Sequence, residues 1–271
     1  MNTVTIRASS LGELFDCPSR WYAKHILGLR TPTSFKARLG TAVHAGTAAF
    51  DAARLEGSPI TADDAASVLV DTLHRDHDEA GQEDVVDWEG EDSRVVEQIG
   101  LSLHTSYCTG LALRQDYVAV ELRCDALEFT DLGLTLTGTT DRVRRTADNL
   151  LGIADIKTGA TAVSSDGTVK TAGHGAQLGV YSLLAEYALG QPLTAPAQII
   201  GMQTGKTPKA QRIGVGEVQD VRAALVGDAE SPGLLEHASR IIHSGSFYGN
   251  PRSMLCSEKF CPVYATCKFR G

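Results

Sequence analysis

Three consecutive segments of β-type residues, Tyr117–Leu122, Leu134–Val143 and Leu150–Ile156, constrain this chain more than any other feature. Turn residues separate them: Asp131-Leu132-Gly133 after the first run and Asp148-Asn149 after the second. A side-chain period of two does not suit a helix, so the middle of the chain reads as a small sheet. The flanking pattern is helical. Residues 9–27 carry Leu11, Leu14, Phe15, Trp21, Tyr22 and Ile26 at helical spacing. Ser9 or Ser10 supplies an N-cap there, Glu13 completes a capping box with Ser10, and Leu27-Gly28-Leu29 is the exit. Helices are also expected over 39–55, with Leu39, Val43 and Phe50 on one stripe, over 62–79 and over 92–115, with an acidic segment around Gly81–Asp92. After the third strand, 173–189 is helical. Ala197–Met202 reads as a buried strand paired with Arg212–Val215, and 217–243 as a long helix with a break near Ser231-Pro232-Gly233. The expected architecture is a mixed α/β core with a helical N-terminal elaboration. One domain covers 1–271: a mainly helical part to residue 115, the α/β core over 116–216, and a C-terminal helix with a cysteine segment from 217.

The chain has 271 residues, 42% hydrophobic and 21% charged, enough to bury a substantial core. No run of about 18 apolar residues is present, so no membrane span is expected. Met1-Asn2-Thr3-Val4-Thr5-Ile6-Arg7 lacks the basic-then-apolar pattern of a signal peptide, and a cytoplasmic location follows as the expectation. The net charge of −8 argues against coating nucleic acid through the overall field, but leaves room for a local basic groove.

Chemistry concentrates in Gly138-Thr139-Thr140-Asp141-Arg142-Val143 and Ile153-Ala154-Asp155-Ile156-Lys157-Thr158-Gly159. Strand alternation puts Asp155 and Lys157 on one face, with Ile156 buried behind them and Asp141 on the neighbouring strand. A carboxylate pair suits a hard divalent cation, Mg²⁺ or Mn²⁺. A lysine beside it can orient a water and offset charge on a pentavalent phosphate, which makes a workable site for phosphodiester hydrolysis. Alone, a D-x-K triplet is common and is as readily a strand-end acid with a solvated lysine. Gly40-Thr41-Ala42-Val43-His44 adds an imidazole at a helix start, and Gln177 and Tyr181 share a helix face four residues apart.

Six cysteines, at 17, 108, 124, 256, 261 and 267, are unevenly placed, with three in the last 16 residues. In a reducing compartment such a group more often binds metal than forms disulfides. Four thiolates, Cys17 with Cys256, Cys261 and Cys267, suit either a [4Fe–4S] cluster or a structural Zn²⁺; four reduced buried thiols are the plainer alternative. Zinc favours short paired C-x₂-C loops, and a one-plus-three arrangement fits it less well. Joining Cys17 to the trio would close a very long loop and pin the last segment to the first helix. Cys108 and Cys124 read as ordinary buried cysteines.

The ordered set G-T-A-V-H, G-x-x-D-R-V, D-x-K-T-G and Q-x-x-x-Y resembles the RecB-like PD-(D/E)XK nucleases, which include AddB-type recombination, CRISPR-adaptation and phage exonuclease members. The resemblance implies a metal-dependent active site of His44, Asp141, Asp155 and Lys157, assisted by Gln177 and Tyr181, with His44, Asp141 and Asp155 as metal ligands. Glu121 stands on the preceding strand where many members carry an acid. Some members hold a [4Fe–4S] cluster with a one-plus-three cysteine set, which would place it on Cys17, Cys256, Cys261 and Cys267; here the first C-terminal gap is four residues rather than the common two. The implied activity is a DNA exonuclease on single strands or strand ends in recombination, replication, repair or phage DNA metabolism, with recombination or replication proteins as partners. A non-catalytic iron–sulfur DNA-binding or assembly subunit of the same fold is the alternative; a zinc protein unrelated to DNA leaves the His/Asp/Asp/Lys series unexplained. Arg20, Lys24, Arg30, Lys36, Arg38, Arg142, Lys206 and Lys209 are candidate phosphate contacts, and Trp21 or Tyr22 a candidate base-stacking surface.

Overall fold

A computed structural model of the protein describes residues 3–77 and 84–270. In chain order, β1 (Val4–Arg7) precedes two short helices, α1 (Leu11–Asp16) and α2 (Pro18–His25). β2 (Thr33–Ser34) leads into α3 (Phe35–Leu55), followed by α4 (Ala62–His74), β3 (Val86–Asp87) and α5 (Ser93–Ser106). Three long strands come next, β4 (Asp116–Phe129), β5 (Leu134–Arg145) and β6 (Leu151–Gly159). Then follow α6 (Gly175–Leu189), β7 (Ala197–Gln203), β8 (Arg212–Val218), α7 (Ala223–Val226) and α8 (Leu234–Ser244).

The main sheet is mixed, in the order β1-β5-β6-β7-β8, with β4 paired along the other edge of β5. β1 is parallel to β5 and covers Leu134–Thr137, whereas β6 is antiparallel to it and covers Arg142–Arg145. Among the described residues, Gly138–Asp141 of β5 therefore have no ladder partner on that side. β6 leaves β5 beyond Ala154 and continues beside β7 as a parallel pair through Gly159. The sheet forks there, and Asp141 and Asp155 stand on the two prongs.

Alternation along the strands divides the apolar side chains between two cores. Val143, Ile153 and Ile199 join Leu11, Leu14, Leu178 and Leu184 on the side of α1 and α6. Ala154, Ile156, Ile200 and Met202 join Leu39, Val43, Leu69 and Leu103 on the side of α3 to α5. α3 begins where the Ser34 hydroxyl accepts the Ala37 N–H, and its small residues allow close helix packing. A Cβ on Gly46 would lie 2.9 Å from Leu69 Cβ and 3.0 Å from a His104 ring carbon, so glycine is needed for the approach of α4 and α5.

Several elements differ from expectation. β1 was not anticipated. The first helix is two: Cys17, at φ −150° and ψ 91°, breaks it, and Pro18 starts the second piece. Ser10 makes no side-chain cap. Its hydroxyl instead donates to the Arg7 carbonyl and accepts from the Trp21 indole, while Glu13 receives Arg20 and Lys24. α3 starts at Phe35, four residues early by the sequence reading of 39. The helix expected over 92–115 ends at Ser106 and continues as a π turn and a 3₁₀ turn. The expected helix 62–79 stops at His74, and residues 78–79 lie outside those described, as does part of the acidic segment from Gly81. The long helix over 217–243 is replaced by the end of β8 and two separate helices, the second starting at Leu234, directly after the expected break at Ser231-Pro232-Gly233. Gly227, at φ +67°, causes the break: a Cβ there would sit 2.2 Å from the Gly233 amide nitrogen.

Candidate active site and cysteine pocket

At the fork, the ladder hydrogen bond that β5 and β6 no longer make is replaced by a side chain: the Ile156 N–H donates to Asp141 Oδ2 at 2.8 Å. From the other face, His44 on α3 places Nε2 2.7 Å from the Ile156 carbonyl and Nδ1 3.3 Å from Asp141 Oδ2. Glu121 stands opposite Asp141 on β4, between the register pairs Val120–Arg142 and Leu122–Thr140. Its backbone is left-handed, φ +46°, unusual for a non-glycine residue inside a strand. Ligand atoms of His44, Glu121 and Asp141 lie within 4.8 Å of one another. Asp155 is 1% exposed and lies outside that group, its Oδ2 2.7 Å from Lys157 Nζ. Burial, and then the charge of Asp141, pushes the Asp155 carboxyl above the usual carboxylate range.

Gln177 and Tyr181 do share a face of α6, with the Gln177 amide donating to the Tyr181 hydroxyl at 3.1 Å. Burial and then the charge of Asp141 push the Tyr181 hydroxyl up, which keeps its proton on. Gly138 makes room for that ring: a Cβ there would lie 3.0 Å from Tyr181 Cε1. Thus the structure gathers His44, Glu121, Asp141, Asp155, Lys157, Gln177 and Tyr181 around one fork.

These donors suit a divalent cation. If Nε2–H of His44 donates to the Ile156 carbonyl, the Nδ1 lone pair faces the Asp141 carboxylate. Lone pair against carboxylate is repulsive unless a positive charge, a proton or a metal ion, lies with them. A ligating histidine whose other ring nitrogen is held by a backbone carbonyl is the usual outer-shell pattern of metal sites. Oxygen from Glu121 and Asp141 with one imidazole nitrogen fits Mn²⁺ or Mg²⁺.

Arg142 stands elsewhere than a phosphate contact would. It is 0% exposed and, by strand alternation, points to the α3 side. Nε donates to Asp51 Oδ2 at 2.8 Å, Nη1 to the Asp141 carbonyl at 2.7 Å and to Glu121 Oε1 at 3.3 Å, and Nη2 to Thr47 at 3.4 Å. Asp51 also accepts from the Tyr107 hydroxyl at 2.6 Å, which lies 3.0 Å from that of Tyr117. Burial pushes both hydroxyls up, Tyr117 to about 12. Sequence reasoning missed this network. The signal was available: Asp51 follows His44 by two helical turns, and an arginine on the covered face of a strand needs an acid opposite.

Arg38 and Arg20 are also buried, bonded to Asp84 and to Glu13 and Asp16. Lys206 pairs with Glu91, Lys24 with Glu13. Trp21 is fully buried, so it presents no stacking surface, and Tyr22 stacks on Phe247.

Cys17, Cys256, Cys261 and Cys267 line a single cavity together with Arg20, Asn250, Tyr264 and Phe269. The Asn250 N–H donates to Cys17 Sγ at 3.4 Å, and Asn250 Nδ2 to the Asp16 carbonyl at 3.0 Å. Ser253 donates to Asp16 Oδ2 at 2.6 Å, so the C-terminal segment is tied to α1 and α2 at their junction. Cys108 lies far from this cavity in the other core, 3.4 Å from His104, and Cys124 is on β4.

This chain belongs to the PD-(D/E)XK nuclease superfamily, whose sequence pattern matches residues 6–268. No curated protein matches it. Among solved structures it is similar to one described as "Crystal structure of SSO0001", with 12% identity, a TM-score of 0.42, and coverage of 99% of this chain and 87% of that one. Among the described residues, no helix is long and apolar enough to cross a membrane.

Proposed function

We propose that this protein is a Mg²⁺- or Mn²⁺-dependent deoxyribonuclease of RecB-like type, one nuclease domain over 1–271. The observation that carries the reading is the fork itself, where His44, Glu121 and Asp141 converge beside the Asp155–Lys157 pair. His44, Glu121, Asp141 and Asp155 would hold the cation, which supplies Lewis acidity and an activated water at neutral pH. Lys157, held at 2.7 Å by Asp155, is aimed to offset negative charge growing on the phosphate and to orient the attacking water. Tyr181, its hydroxyl pushed up by burial and by the charge of Asp141 and its oxygen tied to Gln177, keeps a protonated hydroxyl beside the fork.

The motif resemblance further supports an exonuclease on single strands or DNA ends, in recombination, replication, repair or phage DNA metabolism, with proteins of those processes as partners. For the cysteine cavity it supports a [4Fe–4S] cluster on Cys17, Cys256, Cys261 and Cys267.

The test is cleavage of single-stranded and duplex DNA in Mg²⁺ and in Mn²⁺, together with the absorption spectrum of anaerobically purified protein. Release of nucleotides from ends, lost in Asp141→Ala, supports the reading. DNA binding with no cleavage in either metal would instead leave a non-catalytic DNA-binding subunit. A colourless protein with stoichiometric zinc would reject the cluster.

A further inference from the structure

We propose that Arg142 is the positioning residue of the metal site, acting through two of its ligands at once and referring both to helix α3. This role rests on the metal-dependent reading above. Nη1 donates to the main-chain carbonyl of Asp141 at 2.7 Å and to the Glu121 carboxylate at 3.3 Å. One nitrogen therefore joins β5 to β4 at the point where the ligands face each other. The Glu121 side chain is 45% exposed and sits on a left-handed backbone, whereas the Arg142 side chain is 0% exposed. The buried partner thus limits where the exposed carboxylate goes.

The guanidinium is in turn placed by α3. Asp51 takes Nε at 2.8 Å, Thr47 lies 3.4 Å from Nη2, and Tyr107 holds Asp51 at 2.6 Å. His44, the third ligand of the group, is on the same helix, one and two turns before Thr47 and Asp51. Helix and strands are thereby locked in register: a shift of α3 that moved His44 from Asp141 would also pull Arg142 away from Glu121. The fork needs such a lock, because among the described residues Gly138–Asp141 lack ladder partners on the β6 side. A lysine cannot reproduce it, since it has one nitrogen where the guanidinium uses three.

The experiment is Mn²⁺ titration of the full-length protein by electron paramagnetic resonance, with far-ultraviolet circular dichroism to check the fold. Arg142→Lys should weaken Mn²⁺ binding roughly ten- to a hundredfold, as loss of an outer-shell partner does. In the Arg142→Lys background the further loss on Glu121→Gln should shrink, because the two residues act as a unit. Asp51→Asn, which keeps the shape but weakens the hold on the guanidinium, should weaken Mn²⁺ binding in the same direction, and it decides the matter should Arg142→Lys not fold. Wild-type Mn²⁺ affinity in a folded Arg142→Lys or Asp51→Asn protein would overturn the role. A wild-type protein that binds no Mn²⁺ at all would instead overturn the metal site beneath it.

Discussion

The fork and the cysteine cavity are built in opposite ways. At the fork the candidate ligands are borne on regular elements, α3, β4, β5 and β6, and a buried arginine with four polar partners braces them from behind. Around the cysteines, Cys17 sits at a break between helices and the other three lie in turns after α8, joined by short-range bonds. Side chains of Asp16, Arg20, Asn250 and Ser253 make most of the connection between the two ends of the chain. The first region is held by the fold. The second is the weaker construction, and a cluster bonded to all four sulfurs would add what the backbone there lacks.

The largest effect expected from this contrast is chemical. Asp155→Ala should abolish cleavage, and Lys157→Ala should lower it by roughly 10²–10³-fold, with DNA binding and melting temperature little changed; single-turnover assays beside binding titrations measure both. Full activity in Asp155→Ala would break the assignment of the fork. Changes at the cavity should act the other way round. Cys17→Ser should lose iron and lower stability, by on the order of 4–5 kcal/mol if the cross-link closes so long a loop, or roughly 10 °C in melting temperature. Iron analysis of Cys108→Ala and Cys124→Ala should show no change.

A smaller effect is expected at Gly138. In Gly138→Ala the new Cβ would lie 3.0 Å from Tyr181 Cε1 and 3.3 Å from Ala8 Cβ, and these side chains must give way to admit it. Overpacking of this kind costs about 1–3 kcal/mol. Denaturant titration measures it, and an unchanged midpoint would show that the ring moves freely.

The fork's elements were legible because the chemistry lies in strands whose alternation can be read directly. Asp155 and Lys157 on one face, with Ile156 behind, needed nothing beyond the period of two. Arg142 was misread because the sequence shows a charge but not what covers it; its acid, Asp51, is ninety-one positions away and becomes a neighbour only when α3 packs on the sheet. The break at Cys17 was also hidden. Apolar spacing continues through it, and only the preference of a pre-proline residue for extended backbone marked the place. β1 was missed because four residues gain their stability from pairing with a distant strand rather than from local preference.

The smallest effect expected is at the seam between α1 and α2. Burial raises the Glu13 carboxyl, but hydrogen bonds from His25 and Arg20 and the charge of Lys24 outweigh it and hold it down at about 2. Because the folded value lies below the ordinary one, the contribution is complete above the ordinary carboxylate range and is lost as pH falls through about 2. Melting scans from about pH 5 to about pH 3 should show a decline of a few degrees that is reduced in Glu13→Gln. An identical decline in both proteins would remove Glu13 from the seam's stability.

The Ile156 amide carries a consequence of its own. Its proton is bonded to a side-chain carboxylate of the candidate metal site rather than to a main-chain carbonyl of the neighbouring strand, and its carbonyl is bonded to His44. A single residue therefore touches two ligands, one through its N–H and one through its carbonyl. Its nitrogen and proton resonances should respond to a diamagnetic cation such as Mg²⁺ before any DNA is present, because charge drawn from Asp141 weakens the bond that the amide donates. The molecule thus carries its own isotope-labelled gauge of site occupancy, readable without a substrate and without altering a residue.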